Sequence, residues 1–222
     1  MTSRKDVLLF LGAPGSGKGT LAQRCCAELG YGQVSTGNLC REHVARGTSI
    51  GKEIDLALKS GKLIDDSIIT TMIVDWFAHS MPNTRVILDG YPRTVAQVEA
   101  LHDFLVSSDV TKPTVVQLVV TPQQVIDRLS MRLICSKAEC QAVYSLAGST
   151  SGAICARCSA PLIRRPDDEP EEIRKRLKLY SVHEASLLER YRVLDYKIVS
   201  VDASGSMDDV FDIFRERLGA CS

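Results

Sequence analysis

Nine consecutive residues, Gly12-Ala13-Pro14-Gly15-Ser16-Gly17-Lys18-Gly19-Thr20, combine four glycines with one lysine. Glycines let a backbone curl until successive N–H groups point inward, a lysine adds an ammonium, and a helix N-terminus adds partial positive charge. That combination holds phosphate oxygens. The general phosphate-loop pattern asks for Ser or Thr directly after the lysine, whereas here Gly19 stands between Lys18 and Thr20. A second group, Asp89-Gly90-Tyr91-Pro92-Arg93-Thr94, offers a carboxylate for the water shell of Mg²⁺ and a guanidinium for bidentate grip on another anion. Taken alone, Asp-Gly followed by Pro is also an ordinary turn. The third group is Cys135-x4-Cys140, fourteen residues, then Cys155-x2-Cys158. Two such pairs close a tetrahedral thiolate site for zinc; four reduced thiols or a disulfide are the other readings of the same spacing.

These groups need elements to hold them. Residues 7–11 form a short apolar run ahead of the glycine loop, which suits a parallel strand covered on both faces. After the loop, Leu21, Cys25 and Leu29 recur at helical spacing, and Gly30 stops the helix. Residues 86–88, 115–120 and 197–201 are further strand candidates, so the reading is an α/β chain with a doubly wound parallel sheet. Two stretches interrupt it. Residues 35–64 are helical and polar, without a strand candidate and with Gly37, Gly47, Gly51 and Gly61 as punctuation, and read as a helical insertion. Residues 131–168 lack helical periodicity, carry the four cysteines, and read as a small lid that needs a staple because it has little core. The P-loop core is then residues 1–34, 65–130 and 169–222.

The composition narrows the function. A chain of 222 residues with 45% hydrophobic and 24% charged residues buries a sizeable core. The 27 Lys+Arg offset the 27 Asp+Glu, and only one Trp, six Tyr and five Phe are present, so the reading includes neither nucleic acid nor a membrane surface as partner. No stretch has the length of a membrane span or a signal-peptide core, which predicts a cytoplasmic setting where thiols stay reduced.

Taken in order, the motifs resemble the adenylate kinase family. They are GAPGSGKGT; Ser35-Thr36-Gly37-Asn38-Leu39 with Arg41; Gly61-Lys62-Leu63-Ile64; DGYPRT with Gln97; Asp127-Arg128-Leu129 with Arg132; and Arg165-Pro166-Asp167-Asp168 leading to Arg174-Lys175-Arg176-Leu177. The resemblance spans nearly the whole chain and implies reversible transfer of the terminal phosphoryl group of Mg·ATP to AMP, giving two ADP.

By motif position it implies that Gly15, Ser16, Gly17, Lys18, Gly19 and Thr20 hold the ATP phosphates. Arg132, Arg165 and Arg176 would surround the transferring group, Arg165 and Arg176 also reaching AMP, and Asp89 would serve Mg²⁺. Arg128 and Gly205 would lie against the ATP adenine, with Val143 and Tyr144 contributing from the lid. Arg41 and Arg93 would hold the AMP phosphate, Thr36, the Lys62, Leu63 and Ile64 backbone and Gln97 would recognise the acceptor base, and Gly90 and Tyr91 would belong to the same AMP site. Tyr91 stands where the family usually has Phe, and Asn38 where it commonly has Asp. One subgroup of the family staples its lid with zinc on four cysteines, usually with two-residue spacing in both pairs; Cys135, Cys140, Cys155 and Cys158 occupy that place, the first pair being looser. A monomer is the expected state. The nearest rival readings are a relative with another acceptor or donor, and a nucleotide-binding scaffold without turnover; the latter would be expected to have lost one of the named cations.

Overall fold

In the computed structural model, residues 6–59, 64–80, 85–108, 110, 112–137, 140, 142–145 and 154–219 are described. The chain runs β1 (Asp6–Gly12), α1 (Lys18–Leu29), β2 (Gly32–Ser35), α2 (Thr36–Ala45), α3 (Ser49–Lys59), α4 (Asp66–Ser80), β3 (Arg85–Asp89), α5 (Val95–Ser107), β4 (Thr114–Val119), α6 (Pro122–Ser130), β5 (Arg132–Cys135), β6 (Val143–Ser145), β7 (Leu162–Ile163), a 3₁₀ turn (Pro166–Asp168), α7 (Pro170–Val193), β8 (Lys197–Asp202) and α8 (Met207–Gly219). Five strands form one parallel sheet in the order β2-β3-β1-β4-β8. The expected α/β doubly wound architecture is therefore present.

The central strand shows why an unbroken apolar run was required. Along β1, Val7, Leu9 and Leu11 point into a cluster with α4, α5 and α7, while Leu8 and Phe10 point into another with α1 and α8. With side chains alternating between two covered faces, every position is apolar. Burying one such leucine stabilises the fold by about 2 kcal/mol. Phe10 packs edge-on against Phe214 of α8, which anchors the C-terminal helix to the sheet.

β2 lies outside the sequence reading. It is an edge strand of four residues in which only Val34 is buried, so it carries no apolar run to announce it. The punctuation assigned to residues 35–64 also needs correction. Gly47 does sit beyond α2 with φ +61°, but Gly51 lies inside α3. A Cβ there would come within 2.0 Å of the His43 carbonyl oxygen, so glycine permits α3 to pack directly on the end of α2.

The lid segment contains a three-stranded antiparallel sheet, β6-β5-β7. Its small buried cluster is Cys135, Ala142 and Cys155 with partly buried Cys140, Tyr144, Cys158, Ala160 and Leu162 around it. The expectation that something other than a large apolar core must hold this part agrees with that inventory. Among the described residues, no helix is long and apolar enough to cross a membrane.

Candidate active site

The carboxyl ends of β1 and β3 are neighbours in the sheet, with Phe10 in register with Asp89, and Ser35 of β2 is in register with Asp89 from the other side. The glycine loop, Asp89 and Thr36 therefore share one edge, where open parallel sheets bind ligands. Gly15 and Gly17 have φ of +76° and +97°, a curl that other residues adopt only with strain. Ser16 at the loop's centre is 1% exposed. A Cβ on Gly15 would meet the Leu129 side chain at 2.8 Å, so the loop is also pressed against α6.

Lys18 folds back into this loop. Its Nζ donates to the carbonyls of Gly12 and Ala13 at 2.7 and 2.8 Å and to Ser16 Oγ at 3.4 Å. Enclosure lowers its pKa from 10.5 to about 8; Asp89 opposes that shift, while Arg93, Arg176 and Arg132 add to it. Gly19, the residue that departs from the general pattern, lies beside Asp89: a Cβ there would sit 3.4 Å from Oδ2. Asp89 Oδ2 also accepts from Gln33 Nε2 at 3.3 Å.

Arginines from three parts of the chain meet here. Arg132, at the start of β5, donates through Nε and Nη2 to the two oxygens of Asp168 at 2.7 and 2.5 Å. Arg176, on α7, reaches the Asp167 carbonyl and carboxylate, each at 2.9 Å, and Asp168 at 3.4 Å. Arg41 donates to Asn38 Oδ1, so the residue standing in place of the family's usual Asp orients a cleft arginine. Arg93 turns back on the Gly90 carbonyl with Nε at 2.7 Å.

Arg165 is the exception. Its buried Nε has no hydrogen-bond partner, and burial, then Arg132 and Arg41, push its pKa down to about 10. Arg41 is lowered by burial and by Arg132 and Arg176, with Asp167 opposing. These cations thus sense one another across a single cleft, where Lys18 and five arginines face Asp89, Asp167 and Asp168. A cleft with more cations than carboxylates and a buried unsatisfied guanidinium N–H is an anion site.

The remaining residues singled out in the sequence lie as follows. Arg128 Nη2 donates to the carbonyls of Ala203 and Ser204 at 2.7 and 3.2 Å, which joins α6 to the loop containing Gly205. Thr20 is exposed at the mouth of the loop. Thr36 is 3% exposed and its hydroxyl donates to the Gly90 carbonyl at 2.9 Å. Ile64 packs against the larger core cluster, whereas Lys62 and Leu63 lie outside the described residues.

Two residues depart from expectation. Tyr91 is a core residue, 2% exposed, whose hydroxyl lies 3.1 Å from Thr70 Oγ1 and 3.4 Å from the Gln97 carbonyl, so its added hydroxyl ties α4 to α5. Tyr144 turns to the cysteines, with its hydroxyl 3.4 Å from Cys155 Sγ and accepting from the Ala156 N–H at 2.9 Å. Strand alternation places Val143 on the opposite side, and it is 43% exposed.

The four cysteine sulfurs all lie within 4.8 Å of one another. Cys135 and Cys158 are 3.3 Å apart, and Cys140 and Cys155 are 3.6 Å apart. Neither separation is a disulfide, and a tetrahedral zinc with Zn–S bonds near 2.3 Å calls for sulfurs about 3.8 Å apart. The cluster fits. The Tyr144 hydroxyl is the largest cause that lowers the Cys155 thiol, toward the thiolate a metal requires, whereas burial raises Cys135, so the metal itself would supply the remaining ionisation.

Sequence reasoning missed the acids that hold the cations. Asp168, with a side chain 4% exposed, fixes Arg132 across 36 positions, and nothing in local spacing announces that pairing.

Comparison with known proteins accords with this arrangement. The family profile described as Adenylate kinase matches residues 10–196. The chain is 34% identical to an Adenylate kinase of Anaeromyxobacter dehalogenans over 96% of this chain and 99% of that one. It is 36% identical to one of Thermodesulfovibrio yellowstonii, over 92% and 95%, and 35% identical to one of Archaeoglobus fulgidus, over 90% and 91%. A phosphate-cradling loop, an arginine-lined cleft and likeness across nearly the full length together place the chain in the adenylate kinase family.

Proposed function

We propose that this chain transfers the terminal phosphoryl group of Mg·ATP to AMP, reversibly, giving two ADP, and that the cleft described above is where it does so. The observation that carries the reading is the convergence of Lys18, Arg41, Arg93, Arg132, Arg165 and Arg176, with the Arg165 Nε buried and unsatisfied. Phosphoryl transfer spreads charge over equatorial oxygens and asks the protein mainly for alignment and cations. Lys18 and the loop N–H groups hold the donor phosphates. Arg41 and Arg93 hold the acceptor phosphate, and Arg132, Arg165 and Arg176 meet the transferring group between them. Mg²⁺ arriving with ATP would be held through Asp89 and would shield phosphate charge.

The organisation follows the chemistry. Water must be kept from the donor, so the unit of residues 131–168 acts as a lid, residues 35–64 bind AMP, and residues 1–34, 65–130 and 169–222 form the fixed core. The lid is stapled by zinc on Cys135, Cys140, Cys155 and Cys158, which supplies the stability its small apolar cluster does not. The protein acts as a monomer in the cytoplasm, a reducing setting that suits the seven cysteines free of disulfides among the described residues.

The test is ADP formation from ATP and AMP, followed by coupled oxidation of a reporter. Replacing Lys18 or Arg93 by alanine should lower kcat/KM by a factor of at least about one hundred. Turnover like the parent's in either variant would reject the assigned role.

A further inference from the structure

Gln97 is 4% exposed, yet its side-chain amide is engaged at both ends. Its Oε1 accepts from the Arg93 backbone N–H at 2.7 Å, and its Nε2 donates to Asp66 Oδ1 at 2.6 Å. The second oxygen of Asp66 accepts from Thr94 Oγ1 at 2.6 Å, and Thr94, the N-cap of α5, accepts in turn from the Gln97 N–H at 3.2 Å. A backbone N–H can only donate and a carboxylate can only accept, so the two ends of the amide cannot exchange without two repulsive contacts. One N–H and one lone pair of the amide remain, in a fixed order.

We infer that Asp66 is a positioning residue for acceptor-base selectivity: it locks the Gln97 amide in the polarity that pairs with a 6-amino purine and rejects a 6-oxo purine. The inference rests on the proposed acceptor site. Adenine presents a ring-nitrogen acceptor beside an amino donor, whereas hypoxanthine presents a ring N–H donor beside a carbonyl acceptor. An amide free to flip reads either edge; one held between Asp66 and Arg93 reads only the first. A buried polar group left facing a like partner is the strong form of rejection. Asp66 opens α4, two residues beyond Ile64, so the lock stands beside the segment expected to line the same base.

The experiment is Asp66→Asn, with Asp66→Ala as a second variant in case the first does not fold, assayed with AMP and with inosine monophosphate. An asparagine can face Gln97 with either its oxygen or its amino group, so only the Arg93 N–H still resists the flip. The ratio of kcat/KM for AMP over inosine monophosphate should fall roughly tenfold, the worth of one hydrogen bond, with the change in KM and little in kcat. Equal loss on both acceptors, or an unchanged ratio, would reduce Asp66 to a structural tie between α4 and Thr94, the cap of α5, and overturn the inference. A parent enzyme that does not favour AMP over inosine monophosphate would instead overturn the acceptor reading on which it rests.

Discussion

Lys18 shows how one side chain is readied for an anion. Its Nζ donates to two carbonyls, and enclosure lowers its pKa to about 8. Because the folded value lies below the ordinary 10.5, the cost of keeping this lysine charged is full below pH 8 and fades as pH rises from 8 to 10.5. Polyphosphate restores a high pKa, so ATP binding at pH 8 should take up about half a proton. Titration calorimetry in buffers of different ionisation enthalpy would measure it, and no uptake would contradict the arrangement. Asp168 makes the complementary case. Asp168→Asn removes the bidentate partner of Arg132 and should cost about 3 kcal/mol, read as a lower urea midpoint. A stability like the parent's would show that the pair is not structural.

The local elements explain what was and was not legible in the sequence. The strand, glycine loop and helix at residues 6–29 could be read because an unbroken apolar run and glycines at special φ leave few alternatives. β2 could not, since a half-covered edge strand needs only Val34 inside. The lid strands were hidden by their brevity, and the pairing of Asp66 with Gln97 or Asp168 with Arg132 exists only after folding brings distant positions together. Tyr91 and Tyr144 misled for one reason: a motif position fixes where a residue stands, while the hydroxyl's own partners decide where it points. Gly51 is the element-level counterpart. Gly51→Ala should separate α3 from α2, raise KM for AMP and lower the melting temperature, because its Cβ would meet backbone rather than a movable side chain. An unchanged KM would detach this packing from the acceptor site. For the lid, a strong chelator should release about one zinc per chain and lower the melting temperature; metal analysis without zinc would leave the thiol cluster without its proposed function.

Across the whole molecule, cations as far apart in the chain as Lys18, Arg41, Arg93, Arg132, Arg165 and Arg176 act on one another's charge. Bringing so many like charges together is unfavourable until phosphates arrive, so on the proposed reading nucleotide would favour closure of the lid. Opening should therefore limit turnover, and kcat should fall as solvent viscosity rises; a kcat independent of viscosity would assign the limit to chemistry. The central claim is that this cleft aligns ATP with AMP in particular. Its most direct test is phosphoryl transfer from Mg·ATP measured in parallel on AMP, CMP, UMP and GMP. Rapid formation of ADP from AMP, with the other three acceptors slower by orders of magnitude, is the predicted result. Equal transfer to all four, or none to AMP, would contradict it.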